Sequence, residues 1–262
     1  MSDSNIKHIV FHSALLNKSM GINVYLPPAY EEHKNPLPVL YFLHGRSGNE
    51  NILFDLNIHL KADEMIAQQK INPLIIVCPR IENSRGINSS PLCKEIVSST
   101  DTVINIGMYE DYFIKEVVPL IDKQFNTICT KSGRYIGGVS AGGYAALHFA
   151  FRHQELFCKV GGHMPSIELG LEQEDAPYFP NMSIWEKYDP VTIARTTNLS
   201  KELSVYLDAG DQDEGHFYEG CKILQNILEE KGVTSQNHLF QGHHDAMYIS
   251  SHLEKYLEFY NA

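Results

Sequence analysis

Two short runs, Val39-Leu40-Tyr41-Phe42-Leu43 and Leu74-Ile75-Ile76-Val77-Cys78, are apolar at almost every position. Successive side chains of a strand point to opposite faces, so a strand with one wet face alternates apolar and polar residues. A run without that alternation has both faces covered, the condition of a strand inside a parallel sheet flanked by helices. Further candidate strands lie at 22–26, 134–139, 159–162, 204–209 and 235–240. Helical patterns separate them at 110–125, 141–152, 216–231 and 246–260. The first of these carries Tyr112, Phe113, Val117, Leu120 and Ile121 on one stripe, with Pro119 as a kink or break. Alternating strands and helices predict one α/β domain over 1–262, with a mainly parallel central sheet and helices on both faces. The segments 81–108 and 163–188 are long and turn-rich and are expected to be active-site loops, gathered at the carboxyl ends of the strands.

Composition narrows the function. Hydrophobic residues make up 43% of the 262 positions, enough for a core without metals or disulfides. A net charge of −11 repels phosphate backbones and anionic lipid, so neither nucleic acid nor membrane is an expected partner. Five scattered cysteines without a C-x-x-C read as reduced thiols. The start, Met1-Ser2-Asp3-Ser4-Asn5-Ile6-Lys7-His8, lacks the apolar stretch of a secretion signal. No run reaches the roughly 18 apolar residues of a membrane span, so a cytoplasmic protein is expected. A homo-oligomer is compatible with all of this.

Gly138-Val139-Ser140-Ala141-Gly142 fits G-x-S-x-G, preceded by the apolar run 135–139 and followed by the helix formers of 144–150. Strand, turn and helix in that order present a serine hydroxyl at the top of a sharp turn, as a nucleophile must be. The flanking glycines let neighbouring backbone approach without a Cβ clash. A tetrahedral oxyanion needs two fixed N–H donors. Ala141, directly after the serine, supplies one; the loop His44-Gly45-Arg46-Ser47-Gly48 after strand 39–43 should supply the other, with Arg46 as the expected donor. His44 reads as structural.

A serine nucleophile on such a sheet is followed along the chain by an acid and then a histidine. After strand 204–209 come Asp211, Asp213 and Glu214; after strand 235–240 come His243 and His244. Position alone leaves the choice within each group open. Asp208 lies inside its strand and reads as structural, and a calcium loop fits the acidic run poorly because the spacing is not that of an EF-hand.

These residues together resemble the esterase D group of α/β-hydrolases, which includes S-formylglutathione hydrolases, feruloyl and acetylxylan esterases and mycolyltransferases. The resemblance covers nearly the whole chain. It is carried by Val24-Tyr25-Leu26-Pro27-Pro28-Ala29-Tyr30, by Pro38-Val39-Leu40-Tyr41-Phe42-Leu43-His44-Gly45, and by Tyr109-Glu110-Asp111-Tyr112 leading to Val118-Pro119-Leu120-Ile121-Asp122. Ser140 to Phe157 adds S-x-G-G-Y-x-A-L and R-H-x-x-x-F, with Gln154 where proline is frequent. The resemblance implies an α/β-hydrolase fold. It implies Asp213 as the acid, from G-x-x-D, and His244 as the base, from G-x-H-D, with His243 at a common glycine position. His163-Met164 replace a small Ser-Gly pair, which implies an unusual pocket floor.

The expected chemistry is hydrolysis of a carboxylic ester. Ser140, His244 and Asp213 form the triad, Arg46 and Ala141 the oxyanion hole, and no cofactor or metal is needed. Acyl transfer, thioester or amide cleavage on the same triad, and a non-catalytic binding protein on the same scaffold are the alternatives. Acyl and alcohol specificity are not readable from these patterns.

Overall fold

The computed structural model describes residues 4–98 and 101–261. The ends of the expected 1–262 domain, and positions 99–100 of the 81–108 segment, lie outside the described residues. The strands are β1 (Asn5–Ser13), β2 (Lys18–Leu26), β3 (Val39–Leu43), β4 (Ile75–Pro79), β5 (Lys94–Val97), β6 (Val103–Ile106), β7 (Arg134–Val139), β8 (Lys159–His163), β9 (Ser204–Gly210) and β10 (Thr234–Phe240). Eight of them form one sheet in the order β1-β2-β4-β3-β7-β8-β9-β10, and β5 and β6 make a separate two-stranded sheet. β1 pairs with β2, and β2 with β4, antiparallel; every later pair of the large sheet is parallel. This is the α/β-hydrolase fold.

The apolar runs behave as their lack of alternation requires. Val39, Tyr41 and Leu43 of β3 face one hydrophobic cluster, while Leu40 and Phe42 face a second on the other side. Ile75 and Val77 of β4 divide from Ile76 and Cys78 in the same way. The helices are α1 (Ile52–Asp55), α2 (Ile58–Ala67), α3 (Tyr109–Asp111), α4 (Val118–Gln124), α5 (Ala141–Arg152), α6 (Met182–Glu186), α7 (Pro190–Thr196), α8 (Phe217–Glu230) and α9 (Ala246–Asn261). Residues of α5 and α8 enter the first cluster, and residues of α2 and α9 the second.

Pro119 occupies the first turn of α4, and Tyr112–Val117 directly before it form a π-helical stretch between α3 and α4, so the regular α-helix is interrupted at the proline. All five cysteines are free. Among the described residues no helix is long and apolar enough to cross a membrane.

The two long segments are not simple loops. Segment 81–108 contains the β5–β6 hairpin and segment 163–188 contains α6. They pack on each other through a third cluster, in which Ile87 and Ile104 meet Tyr178, Phe179, Trp185 and Tyr188. That buried aromatic contact ties the two segments together above the α5 residue Tyr144.

Candidate active site

Ser140 stands at the end of β7 with φ 53° and ψ −119°, a conformation that costs a residue with a side chain roughly 1–3 kcal/mol. Backbone bonds hold it there: its N–H donates to the His163 carbonyl (3.0 Å), and its carbonyl accepts from Tyr144 (3.0 Å) and Ser166 (3.1 Å). A Cβ on Gly142 would come within 2.4 Å of the His44 carbonyl oxygen, so the turn rests directly on the end of β3 and glycine is required.

Three side chains from three strand ends form a continuous relay. His244 Nε2 lies 2.9 Å from Ser140 Oγ, and His244 Nδ1 lies 2.8 Å from Asp213 Oδ2. The carboxylate only accepts, so Nδ1–H donates to Asp213 and Nε2 accepts from the serine hydroxyl. Asp213 is 1% exposed, and its other oxygen accepts from the Gly215 N–H at 2.8 Å. Phe217 sets the edge of the imidazole, with ring centroids 5.2 Å apart.

The other candidates are engaged elsewhere. Asp211 Oδ1 accepts from the Gly242 N–H (3.0 Å), tying the acid-bearing turn to the histidine-bearing one. Glu214 bonds His243 Nδ1 (2.8 Å) and the His244 N–H (3.3 Å) at the surface. Among the described residues no group of His, Cys, Asp or Glu side chains has a metal-ligand arrangement. Asp208 is fully buried and accepts from Tyr248 (2.8 Å) and Tyr256 (2.7 Å). His163 is also buried, between Asp208 and the Tyr260 hydroxyl, so it faces α9, and Met164 lines the pocket instead.

Ser140 opens into a cleft of about 510 Å³ that Arg46, Ala141 and His244 also border. Gly45 packs against Ser140, a Cβ there meeting the serine Cβ at 3.3 Å. The loop that carries Arg46 is braced from beneath by His44. His44 Nδ1 donates to the Gly45 carbonyl at 2.8 Å, and Nε2 accepts from the Ile81 N–H at 3.0 Å. Both nitrogens are thereby satisfied in the neutral ring, and burial pushes its pKa down to about 4.

Asn83 was not visible in the sequence pattern as a site residue. Its side-chain oxygen accepts from the Ser47 N–H at 2.6 Å, its side-chain nitrogen donates to Val103, and its carbonyl accepts from the Tyr178 hydroxyl. The 81–108 segment thus buttresses the Arg46 loop. It supplies none of the described residues that line the cleft, whose apolar wall comes instead from Ile52 and Leu56 around α1, Phe217, and Ile249 of α9. The 163–188 segment contributes Met164, Ser166 and Glu168.

Residues 13–260 match the family model described as "Putative esterase". The chain belongs to the esterase family. An endo-1,4-beta-xylanase/feruloyl esterase of Xylanibacter ruminicola is 29% identical over 230 residues, covering 84% of this esterase-family chain and 29% of the relative. An esterase of Mycobacterium tuberculosis is 26% identical over 163 residues, covering 62% of the chain and 32% of the relative. The chain thus spans about a third of the length of these curated relatives. A solved ferulic acid esterase superposes with a TM-score of 0.82 at 22% identity, covering 100% of this chain and 99% of that one.

Proposed function

We propose that this protein is a serine esterase that hydrolyses carboxylic esters through an acyl-enzyme. The observation that carries the reading is the unbroken relay from Asp213 through His244 to Ser140 at the floor of an apolar-walled cleft. His244 takes the Ser140 proton as the oxygen attacks the ester carbonyl, and Asp213 stabilises the resulting imidazolium. The backbone N–H groups of Arg46 and Ala141 receive the oxyanion. His244 then gives its proton to the departing alcohol, and the same residue activates water to free the acid. Family membership, and relatives named esterase and feruloyl esterase, support an ester over an amide.

The test is labelling with a fluorophosphonate together with hydrolysis of p-nitrophenyl acetate. One adduct per chain on the peptide containing Ser140, lost on heat denaturation before labelling, is the expected result. No adduct, or an adduct without turnover, would leave a binding protein on a hydrolase scaffold.

The acid gives a separate expectation. Asp213→Asn should lower turnover about 10⁴-fold, because an amide cannot stabilise the imidazolium and its NH₂ favours the wrong tautomer. Asp211→Asn and Glu214→Gln should each cost less than about tenfold, since the first oxygen serves a turn and the second lies in an exposed pair. Steady-state kinetics on the three variants check this; a larger loss for Asp211→Asn or Glu214→Gln than for Asp213→Asn would reassign the acid.

A further inference from the structure

Asp208 takes no part in the steps above, yet the three segments that carry the triad meet at its side chain. It lies in β9, five residues before Asp213, and is fully buried. Its Oδ2 accepts from the Tyr248 hydroxyl (2.8 Å) and the Tyr256 hydroxyl (2.7 Å), both on α9. Burial pushes both phenols' pKa up, so each keeps its proton and donates. Its Oδ1 lies 3.2 Å from His163 Nδ1, at the end of β8. Burial pushes the His163 pKa down, so the ring is neutral. Nδ1–H then donates to Asp208, and Nε2 accepts from the Tyr260 hydroxyl at 2.9 Å.

Each partner leads to a member of the relay. The His163 carbonyl receives the Ser140 N–H at 3.0 Å, and the Met164 N–H returns to the Asp208 carbonyl at 2.9 Å. Tyr248 touches the chain on both sides of His244. Its ring edge lies against Gly242, where a Cβ would stand 2.8 Å from Cδ2, and its N–H donates to Asp245 Oδ1 at 2.8 Å. Tyr256 meets the same carboxylate eight residues further along α9, roughly 12 Å up the helix axis. These donors to Asp208 are all neutral. A buried carboxylate without a cationic partner is costly to keep, but its charge shortens and strengthens each bond it accepts. The charge costs stability and gains a firmer hold on the Tyr248 hydroxyl.

We propose that Asp208 is a positioning residue for the reaction, fixing through the Tyr248 hydroxyl where His244 Nε2 stands relative to Ser140 Oγ. It touches neither substrate nor reacting atoms. Without that anchor the first turn of α9 and the 242–245 turn shift together, and the 2.9 Å contact between Nε2 and Oγ is met in a smaller share of molecules. The His244–Asp213 contact is spared, since both its ends ride on the paired turns after β9 and β10. His244 serves acylation and deacylation alike, so kcat and kcat/KM fall together and KM stays where it was.

The proposal rests on the esterase reading, and the experiment separates the two. Steady-state hydrolysis of p-nitrophenyl acetate and thermal unfolding are measured on Tyr248→Phe, Tyr256→Phe, Asp208→Ala and the double variant Asp208→Ala/Tyr248→Phe. Both phenylalanine variants keep the ring and lose one hydrogen bond to the same oxygen, so their Tm values should fall alike. Tyr248→Phe should lower kcat about tenfold with KM within about twofold, whereas Tyr256→Phe should leave kcat within about twofold. Asp208→Ala should lower kcat by about tenfold or more, and the double variant should fall no further, because the hydroxyl acts through the carboxylate.

The two phenylalanine variants decide the matter even if Asp208→Ala does not fold. A Tyr248→Phe enzyme with unchanged kcat would overturn the positioning role. So would a Tyr256→Phe enzyme that loses as much kcat, a loss that appears in KM instead, or a double variant well below Asp208→Ala. A wild type inactive on p-nitrophenyl acetate would overturn the esterase reading, and the positioning role with it.

Discussion

Replacing Ser140 with alanine is expected to lower ester turnover on the order of 10⁶-fold while the chain stays folded. The hydroxyl is the atom placed 2.9 Å from His244 Nε2, and among the described residues no other hydroxyl bonds that nitrogen. The residual rate over water then comes from the oxyanion donors and substrate binding alone. Stability should change little. Alanine keeps the Cβ and therefore the strained φ of 53°, and it loses one half-buried hydrogen bond worth about 1 kcal/mol. For a domain of this size that moves Tm by about 4 °C or less. Turnover of p-nitrophenyl acetate and a melting curve on the same preparation check both halves, and retention of more than a few per cent of activity would remove Ser140 from its role.

His244→Ala should be as damaging as the serine change, because nucleophile and base act as one unit and their losses do not add. Here the fold also suffers. Asp213 would be left buried, with the Gly215 N–H at 2.8 Å but without its imidazole partner, at a cost of about 1–3 kcal/mol. His243→Ala removes only a solvent-screened, exposed pair with Glu214 and should keep activity within a few-fold. The two adjacent histidines thus give opposite outcomes, and an inactive His243→Ala beside an active His244→Ala would reverse the assignment of the base.

The reading from sequence was strongest where burial leaves one solution. β3 and β7 begin and end at the residues the apolar runs mark, because a strand buried on both faces cannot slip without exposing its side chains. β1 went unread: exposed residues are spread through Asn5–Ser13, and a sheet edge constrains the pattern weakly. The short helices α1 and α2 also went unread, although Ile52 and Leu56 there wall the cleft. Ser140, His244 and Asp213 are adjacent in space although far apart in the chain; the strand ends marked Ser140 and narrowed the others to Asp211, Asp213 or Glu214 and to His243 or His244, and the family resemblance implied Asp213 and His244. Asn83, Ser166 and Glu168 carry no such marker. Their positions depend on how 81–108 and 163–188 pack on each other, a long-range aromatic contact with no local period.

The stitching between the turns after β9 and β10 has a mechanical consequence. Asp211 N–H bonds the Phe240 carbonyl (2.8 Å), Gln212 N–H bonds the Gly242 carbonyl (2.9 Å), and a Cβ on Gly210 would strike the Gly242 carbonyl oxygen at 2.2 Å. Acid and base therefore travel as one rigid cassette on the open edge of the sheet, whereas Ser140 is anchored to its centre through β3 and β8. Between the triad members, the span from Oγ to Nε2 is the joint that bridges the two bodies. A displacement of that edge would lengthen this span first and leave the His244–Asp213 pair assembled.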